Sequence, residues 1–132
     1  MMVRVDLYEI RIDETGHEQI VVLKERNGNR LLPIVIGFFE AQAIQLKVNG
    51  IDFRRPMTHD LLGSVFRHLG AKIERVVVNN LEDTTFYARI HVEQNGNTID
   101  IDARPSDAIA LAVRENTPIY VEEKVFEAVM GS

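Results

Sequence analysis

The stretch NGNTIDIDARPSDAIAL, residues 95–111, carries the signals that decide the fold. Its Asn95-Gly96 pair favours a tight type I′ hairpin turn, because both residues tolerate positive φ angles. The residues that follow alternate between polar and apolar, which is typical of a strand, and Ser106 is a good N-cap for a helix over 107–115. The stretch therefore predicts the second strand of a hairpin followed directly by a helix.

The same pattern occurs earlier in the chain. An Asn-Gly-Asn turn at 27–29 precedes a strand and the helix that carries Glu40, just as the turn at 95–97 precedes a strand and the helix that carries Asp107. We expect type I′ geometry at the first turn as well. Such hairpins and alanine-rich helices are common, so two unrelated units are the alternative to a duplication. The pattern predicts an α+β fold with a duplicated β-hairpin–helix unit, and a mixed or mainly antiparallel sheet with helices packed on it.

The remaining elements follow from hydrophobic periodicity and from turn residues. Pro33 lacks an amide hydrogen, so its strand is expected to lie at a sheet edge or to be bulged at this residue. Thr58 is the expected N-cap of the second helix, and a turn is expected at 13–16. The predicted strands are 3–12, 19–26, 31–36, 72–79, 85–94, 98–103 and 119–122, and the predicted helices are 38–48, 59–69, 107–115 and 125–130.

The composition is that of a folded globular protein, with 45% hydrophobic and 27% charged residues. The length predicts one domain, residues 1–132. The chain has no cysteine, so disulfides and thiolate metal sites are excluded. It has no apolar run near the roughly 18 residues of a membrane span and no signal-peptide pattern at its start. We therefore expect a cytoplasmic protein without membrane contact.

The formal net charge of −5 limits how the chain can meet nucleic acid. Affinity for DNA or RNA comes mainly from cationic side chains that neutralise phosphates. An acidic chain is therefore not a strong non-specific binder. Contact with DNA or RNA would need a local basic patch or a bound cation.

Polar residues concentrate at the start of the second predicted helix. Arg54 and Arg55 precede its N-terminus, where free amide groups and the helix dipole favour an anion. His59 can transfer a proton or bind a metal near neutral pH. The alternative is structural, with Thr58 capping the helix and Asp60 complementing its dipole.

A second polar group surrounds the start of the third predicted helix. Asp100 and Asp102 are two residues apart on a strand, so their carboxylates face the same way. Asp107 follows at the helix start, and Arg104 lies between the acids. Carboxylates can hold a divalent cation, and an arginine can bind phosphate through two hydrogen bonds. The alternative is a solvated strand face whose charge Arg104 neutralises.

The first predicted helix adds one more acid, Glu40, in its first turn. A carboxylate there also simply complements the helix dipole. If the two units are related, Glu40 is equivalent to Asp107, and the two acids could converge on one site. Phe38 and Phe39 could stack on bases, although such a pair more often belongs to a core or a subunit interface.

Five strings can be compared with known families: LPIVIG at 32–37, EAQAI at 40–44, RPMTHDL at 55–61, TFYA at 85–88 and DARPSDAIALA at 102–112. In their order and spacing they resemble the bifunctional nuclease domain family over about residues 3 to 128. The resemblance implies an α+β fold, a homo-oligomer, and nuclease activity on DNA and RNA. The motif positions that it carries over are Glu40, His59, Asp60, Asp102, Arg104, Ser106 and Asp107.

The leading hypothesis is a metal-assisted phosphodiesterase. Three acids would hold Mg²⁺ or Mn²⁺, a histidine oriented by its neighbouring acid would transfer the proton, and an arginine would stabilise charge on the phosphate. The expected metal ligands are Asp102, Asp107 and Glu40, and the expected catalytic residues are His59, Asp60, Arg104 and Arg55.

The rival hypothesis is a non-catalytic oligomeric module that binds a small anionic ligand or a protein carboxylate, with its acids in fixed salt bridges. A regulatory adaptor acting through its oligomer surface is a third interpretation. The acids and His59 would converge in an open cleft in the first case and pair off with arginines in a closed cleft in the second. A homodimer is favoured by base rate, with Phe38, Phe39 and the edge at Pro33 as candidate contacts.

Arg104 gives a specific structural expectation. We expect its guanidinium to be at least partly buried and ion-paired with an acid of its own cluster, such as Asp102 or Asp107. Truncating one partner of a buried pair leaves the other charge without a partner, which costs about 3–5 kcal/mol.

Overall fold

The computed structural model describes residues 1–13, 15 and 17–130 of the chain. The turn predicted at 13–16 lies partly outside the described residues, because Glu14 and Gly16 are not among them. The strands are β1 (Met2–Ile12), β2 (Gln19–Glu25), β3 (Leu31–Ile36), β4 (Lys72–Glu82), β5 (Thr85–Gln94), β6 (Asn97–Ala103) and β7 (Ile119–Glu122), and the helices are α1 (Phe38–Val48), α2 (Thr58–His68), α3 (Pro105–Glu115) and α4 (Glu123–Met130).

The described strands form one seven-stranded mixed sheet in the order β3-β2-β1-β7-β4-β5-β6. Strands β4 and β7 run parallel, and every other neighbouring pair is antiparallel. The helices pack on this sheet, which confirms the α+β class. Strand β3 lies at an edge, as the missing amide hydrogen of Pro33 predicts. Among the described residues, no helix is both long and apolar enough to cross a membrane.

Strand β7 separates two segments with the same order of elements. On one side β1, β2 and β3 form an antiparallel meander that leads into α1, and on the other side β4, β5 and β6 form a meander that leads into α3. This is the arrangement that a duplicated unit requires. A common origin of the two segments stays a prediction.

The two Asn-Gly turns differ in geometry. Asn95 and Gly96 have φ angles of 53° and 81°, which confirms a turn of the type I′ class. Asn27 and Gly28 are not among the described residues with positive φ, so the type I′ prediction for the first turn is wrong. There the Glu25 side chain folds over the loop, and its Oε1 lies where it would clash with a Cβ on Gly28. A wider loop closed by Glu25 has replaced the tight turn.

The hydrophobic core lies between the helices and one face of the sheet. Helix α3 is central to it, because it packs against α1 and α2 and also against β4 and β5. Its residues 108–112 are at most 1% exposed, and three of these five residues are alanines that allow a close approach. This packing fixes the position of the α3 N-terminus.

Helix α2 begins one residue earlier than predicted, so Thr58 is its first residue and Met57 is its N-cap. The Met57 N–H donates to Oδ2 of Asp60 at 3.0 Å. An acid at the third helical position that accepts from the N-cap amide is one half of a capping box. The expectation that Thr58 caps the helix is wrong, because Asp60 supplies the hydrogen bond.

Helix α3 also begins early, at Pro105, with Arg104 as its N-cap. Proline suits the first helical position because its fixed φ is already helical and its missing amide hydrogen is not needed there. Ser106 is therefore the second helical residue, buried at 5% exposure. The expectation that Ser106 caps this helix is wrong.

Candidate active site

Polar side chains from the starts of three helices meet at one end of the fold. Glu40, His59 and Asp107 lie in the first turns of α1, α2 and α3, and Arg104 is the N-cap of α3. Helices α1 and α2 both pack against α3, which brings their N-terminal turns together. We call Glu40, His59, Arg104 and Asp107 the helix-start cluster.

The central contact of the cluster joins His59 to Asp107. Nε2 of His59 lies 3.0 Å from Oδ1 of Asp107, and His59 is only 8% exposed. A carboxylate on one ring nitrogen fixes the tautomer and the orientation of the imidazole. The other nitrogen, Nδ1, is then the one that can exchange a proton with a ligand.

Opposing effects set the pKa of Asp107. Burial raises it and is the largest single effect, but the hydrogen bonds and the positive charges of Arg104 and His59 together outweigh burial. The pKa therefore lies below its ordinary value of 3.8, and the carboxylate is ionised near neutral pH.

Arg104 connects the acids of the cluster. Its Nε donates to Oδ2 of Asp107 at 2.7 Å, and its Nη2 lies 3.8 Å from Oε2 of Glu40. The ion pair with Asp107 confirms the expected salt bridge. The expected burial is wrong, because the Arg104 side chain is 67% exposed. An N-cap residue projects beyond the packed part of the helix, so its long side chain reaches solvent.

Two open grooves reach the cluster. One of about 360 Å³ is lined by all four cluster residues and by Phe39, and we call it the Phe39 groove. The other, of about 570 Å³, shares His59, Arg104 and Asp107 and adds apolar side chains such as Leu62. A ligand can therefore reach the His59–Asp107 pair and the Arg104 guanidinium from solvent.

Asp60 has a different role from the one expected, since Asp107 holds the His59 ring. Oδ1 of Asp60 accepts from Nε of Arg114 at 2.9 Å. Arg114, whose side chain is 4% exposed, also donates to the carbonyls of Ala43 at 3.0 Å and Ala110 at 3.3 Å. One buried guanidinium thus joins α1, α2 and α3, the helices that carry the cluster.

Sequence reasoning missed Arg114. It lies seven residues after Asp107, which places both side chains on the same side of α3. This spacing could have identified Arg114 from the sequence, since it predicts that the arginine lies on the same side of the helix as an acid of the candidate site.

Asp102 is separated from the cluster by the alternation of side chains along β6. Its neighbours Ile101 and Ala103 pack against the core, so Asp102 points to the opposite face of the sheet. There its cross-strand neighbour is Arg89. Asp102 nevertheless lines the larger groove together with His59, Arg104 and Asp107. It borders the site without joining the helix-start cluster.

Arg55 lies on the exposed loop that precedes α2. It is not among the residues that line either groove. Thr58 does line both grooves, and a three-residue separation places the Arg55 backbone within about 11 Å of it. The structure brings Arg55 near the cluster along the chain but not into contact with it.

The acids of the cluster are not arranged as a cation site. Within residues 1–13, 15 and 17–130, no three His, Asp or Glu side chains are grouped so that they could hold a metal ion. The Arg104 guanidinium lies against both Glu40 and Asp107, where a cation would have to sit. A bound Mg²⁺ or Mn²⁺ would have to displace this guanidinium, and the expected metal stays a prediction.

A histidine held by a carboxylate, beside an exposed guanidinium in an open groove, defines a protein that can exchange protons with an anionic ligand. The site lies in an α+β fold that contains one mixed sheet. A family model described as the bifunctional nuclease domain matches residues 21–131, and the chain belongs to this family. The matched range includes all four residues of the helix-start cluster.

Curated relatives differ in what their names state. A protein of Mycobacterium tuberculosis named only as uncharacterized is 42% identical over 116 residues, which cover 88% of this chain and 69% of that protein. Bifunctional nuclease 1 of Oryza sativa subsp. japonica is 29% identical over 118 residues, 86% of this chain and 35% of that protein. Bifunctional nuclease 1 of Arabidopsis thaliana is 26% identical over 114 residues, 84% of this chain and 35% of that protein. The nuclease names thus belong to proteins of which this chain matches about a third.

Proposed function

We propose that this chain hydrolyses phosphodiester bonds of DNA or RNA, with the helix-start cluster as its active site. One observation carries the proposal: the His59–Asp107 contact of 3.0 Å lies beside the exposed guanidinium of Arg104, in a groove open to solvent. Membership in the bifunctional nuclease domain family supports the choice of a phosphodiester as the substrate.

His59 is the proton-transfer group in this proposal. Its Nδ1 takes the proton from the attacking water as the water oxygen bonds to phosphorus. The P–O bond to the leaving nucleotide breaks, solvent water protonates the leaving oxygen, and His59 releases its proton to solvent. Asp107 holds the ring through Nε2 and stabilises the positive charge that forms on the imidazole. Because Asp107 is ionised near neutral pH, it can play this part at the pH of the cell interior.

Arg104 binds the phosphate and stabilises the charge that develops on its oxygens. The contact with Asp107 uses Nε, so the two terminal nitrogens remain for a ligand. Nη2 is 3.8 Å from Glu40, which is a long contact that a phosphate oxygen can replace.

The acidic net charge is consistent with this proposal if phosphate contacts are few and local. Arg54 and Arg55 are exposed on the loop before α2 and can add contacts to flanking phosphates. A site with a small number of such contacts should show a shallow dependence of binding on salt.

Metal assistance by Mg²⁺ or Mn²⁺ stays a prediction. Glu40 and Asp107 both contact Arg104, so a cation bound between them would displace its guanidinium. Initial rates of cleavage in Mg²⁺, in Mn²⁺ and in EDTA show whether the reaction needs a divalent metal ion. Activity that survives EDTA would assign the chemistry to the side chains alone.

The test of the proposed function is the cleavage of short DNA and RNA oligonucleotides by the purified chain and by His59→Asn. We expect a loss of about 100-fold or more, because a positioned acid or base contributes roughly that much. His68→Asn is a matched control, since His68 lies on the same helix, is exposed and hydrogen-bonds to Ser64 of its own helix. If His59→Asn cleaves as fast as His68→Asn, the proposal is wrong.

The ion pairs support a second candidate function, a non-catalytic module that binds a small anionic ligand. Asp107 is engaged by both His59 and Arg104, so the cluster is internally neutralised in part. Such a module should bind inorganic phosphate at Arg104 and leave every oligonucleotide uncut under all three metal conditions.

A homodimer also stays a prediction. The edge strand β3 exposes Leu31 at 43% and Val35 at 62%, and Phe38 is 43% exposed directly after it. Exposed apolar side chains that lie together mark protein contacts more often than free surface. Light scattering at tens of micromolar should give twice the mass of the chain, and a monomer at that concentration would exclude the dimer.

A further inference from the structure

We propose that Phe39 is a stacking platform for one nucleic-acid base next to the bound phosphate, so that the Phe39 groove takes an unpaired nucleotide. This inference rests on the proposed function of the same groove. It adds the part of the substrate that the helix-start cluster does not contact.

The position of Phe39 is the first observation. Its side chain is 76% exposed, although phenylalanine is a residue that folded proteins usually bury. It immediately precedes Glu40 in α1 and lines the groove that contains His59, Arg104 and Asp107. An aromatic ring therefore borders the same space as the groups that would act on the phosphate.

The orientation of the ring is the second observation. The rings of Phe38 and Phe39 pack edge to face, with centroids 5.6 Å apart and planes at 82°. In such a pair, one ring presents its edge to a single face of the other. At least one face of the Phe39 ring is therefore left free by Phe38, and the contact restrains the ring from turning freely.

The size of the groove is the third observation. At about 360 Å³, it is small and open, which suits a single nucleotide and not a double helix. A base inside a duplex is already stacked on both faces, so only an unpaired base can use the ring. Stacking tolerates every base, because each has a π face. The platform thus fits a nuclease that accepts both DNA and RNA in single-stranded form.

The experiment is a double-mutant cycle that pairs removal of the Phe39 ring with removal of one base. Binding is measured by fluorescence anisotropy in EDTA. The probes are labelled thymidine pentanucleotides, one intact and five with a single abasic site at each position in turn. We expect Phe39→Leu, which keeps apolar bulk without a π face, to weaken binding of the intact probe about 10-fold or more.

Two variants serve as controls. The affinity of Phe39→Tyr for the intact probe should stay within about 3-fold of the wild-type value, because this variant keeps the ring. Tyr8→Ala removes a ring that is 58% exposed on β1 and should change nothing.

The abasic series decides whether a base is involved. At one position, removing the base should weaken binding by the wild-type chain by the same factor as Phe39→Leu weakens binding of the intact probe. Removing that same base should not weaken binding by Phe39→Leu any further. Equal losses at all positions, unchanged binding by Phe39→Leu, or no binding by the wild-type chain would each overturn the proposal. So would light scattering that shows Phe39→Leu separating an oligomer, because the ring would then be a subunit contact.

Binding in EDTA is measured separately from turnover, so the two proposals can fail separately. If His59→Asn cleaves as fast as the wild-type chain while the coupling between Phe39 and the base persists, the base contact stands and the proposed active site is wrong. If His59→Asn loses activity and the coupling is absent, the active site stands and the base contact is wrong.

Discussion

The two ends of helix α3 each carry an arginine paired with an aspartate, and the two pairs differ in exposure. At the N-terminus, Arg104 binds Asp107 at 2.7 Å and its side chain is 67% exposed. Near the C-terminus, Arg114 binds Asp60 at 2.9 Å and its side chain is 4% exposed. Nη2 of Arg104 lies 3.8 Å from Glu40, whereas both terminal nitrogens of Arg114 donate to backbone carbonyls. The same pair of residue types can therefore serve a ligand site at one end and hold helices together at the other.

The largest expected effect on stability is at the buried end. Arg114→Ala leaves the Ala43 carbonyl without its donor and Asp60 without its partner. We expect a loss of about 3 kcal/mol in the free energy of unfolding, at the low end for a buried pair because Asp60 is itself 40% exposed. Urea unfolding followed by circular dichroism measures it.

The matched control for this change is Arg67→Ala. Arg67 also joins α2 to α3, through Glu115, but its side chain is 59% exposed. Its partner Glu115 is 16% exposed, but the exposed guanidinium leaves the pair screened by solvent, so we expect a loss of about 1 kcal/mol. Equal losses in Arg114→Ala and Arg67→Ala would contradict the view that burial separates the two kinds of arginine.

A smaller effect is expected from pH at the exposed end. The pKa of Asp107 in the folded chain lies below its ordinary value of 3.8. The ionised carboxylate therefore stabilises the fold above about pH 4, and this contribution is lost as the pH falls through the folded-state pKa. Between about pH 5 and about pH 3, wild-type stability should fall by up to about 1 kcal/mol more than that of Asp107→Asn.

Asp52→Asn is the control for the pH series, because the Asp52 side chain is 83% exposed. Its stability should follow that of the wild-type chain across the same range. If Asp107→Asn also follows the wild-type curve, then Arg104 and His59 do not stabilise the ionised form of Asp107.

Much of the fold could be predicted from local patterns, because alternation and helical spacing are properties of neighbouring residues. The exceptions depend on side chains that reach back to the backbone. Glu25 folds over Gly28 and widens the first turn, and Asp60 takes over the capping that Thr58 was expected to provide. Pro105 starts its helix early because of its own fixed φ.

The candidate site was predictable in part. Glu40, His59 and Asp107 lie at helix starts, and packing of the helices brings them together. Asp102 does not join them, and the alternation of Ile101 and Ala103 beside it already placed it on the other face. The exposure of Arg104 depends on how far the packed part of α3 extends, which long-range contacts decide and local sequence does not reveal.

The most direct test of this account is the initial rate of oligonucleotide cleavage by Arg104→Ala, with the unfolding free energy measured on the same preparation. We expect cleavage to fall about 100-fold, since one donor to a developing charge contributes roughly that much. We expect stability to stay within about 1 kcal/mol of the wild-type chain, because the Arg104 side chain is 67% exposed and Asp107 keeps its contact with His59. Unchanged cleavage, or a loss of activity that only follows a loss of about 3 kcal/mol or more in stability, would contradict it.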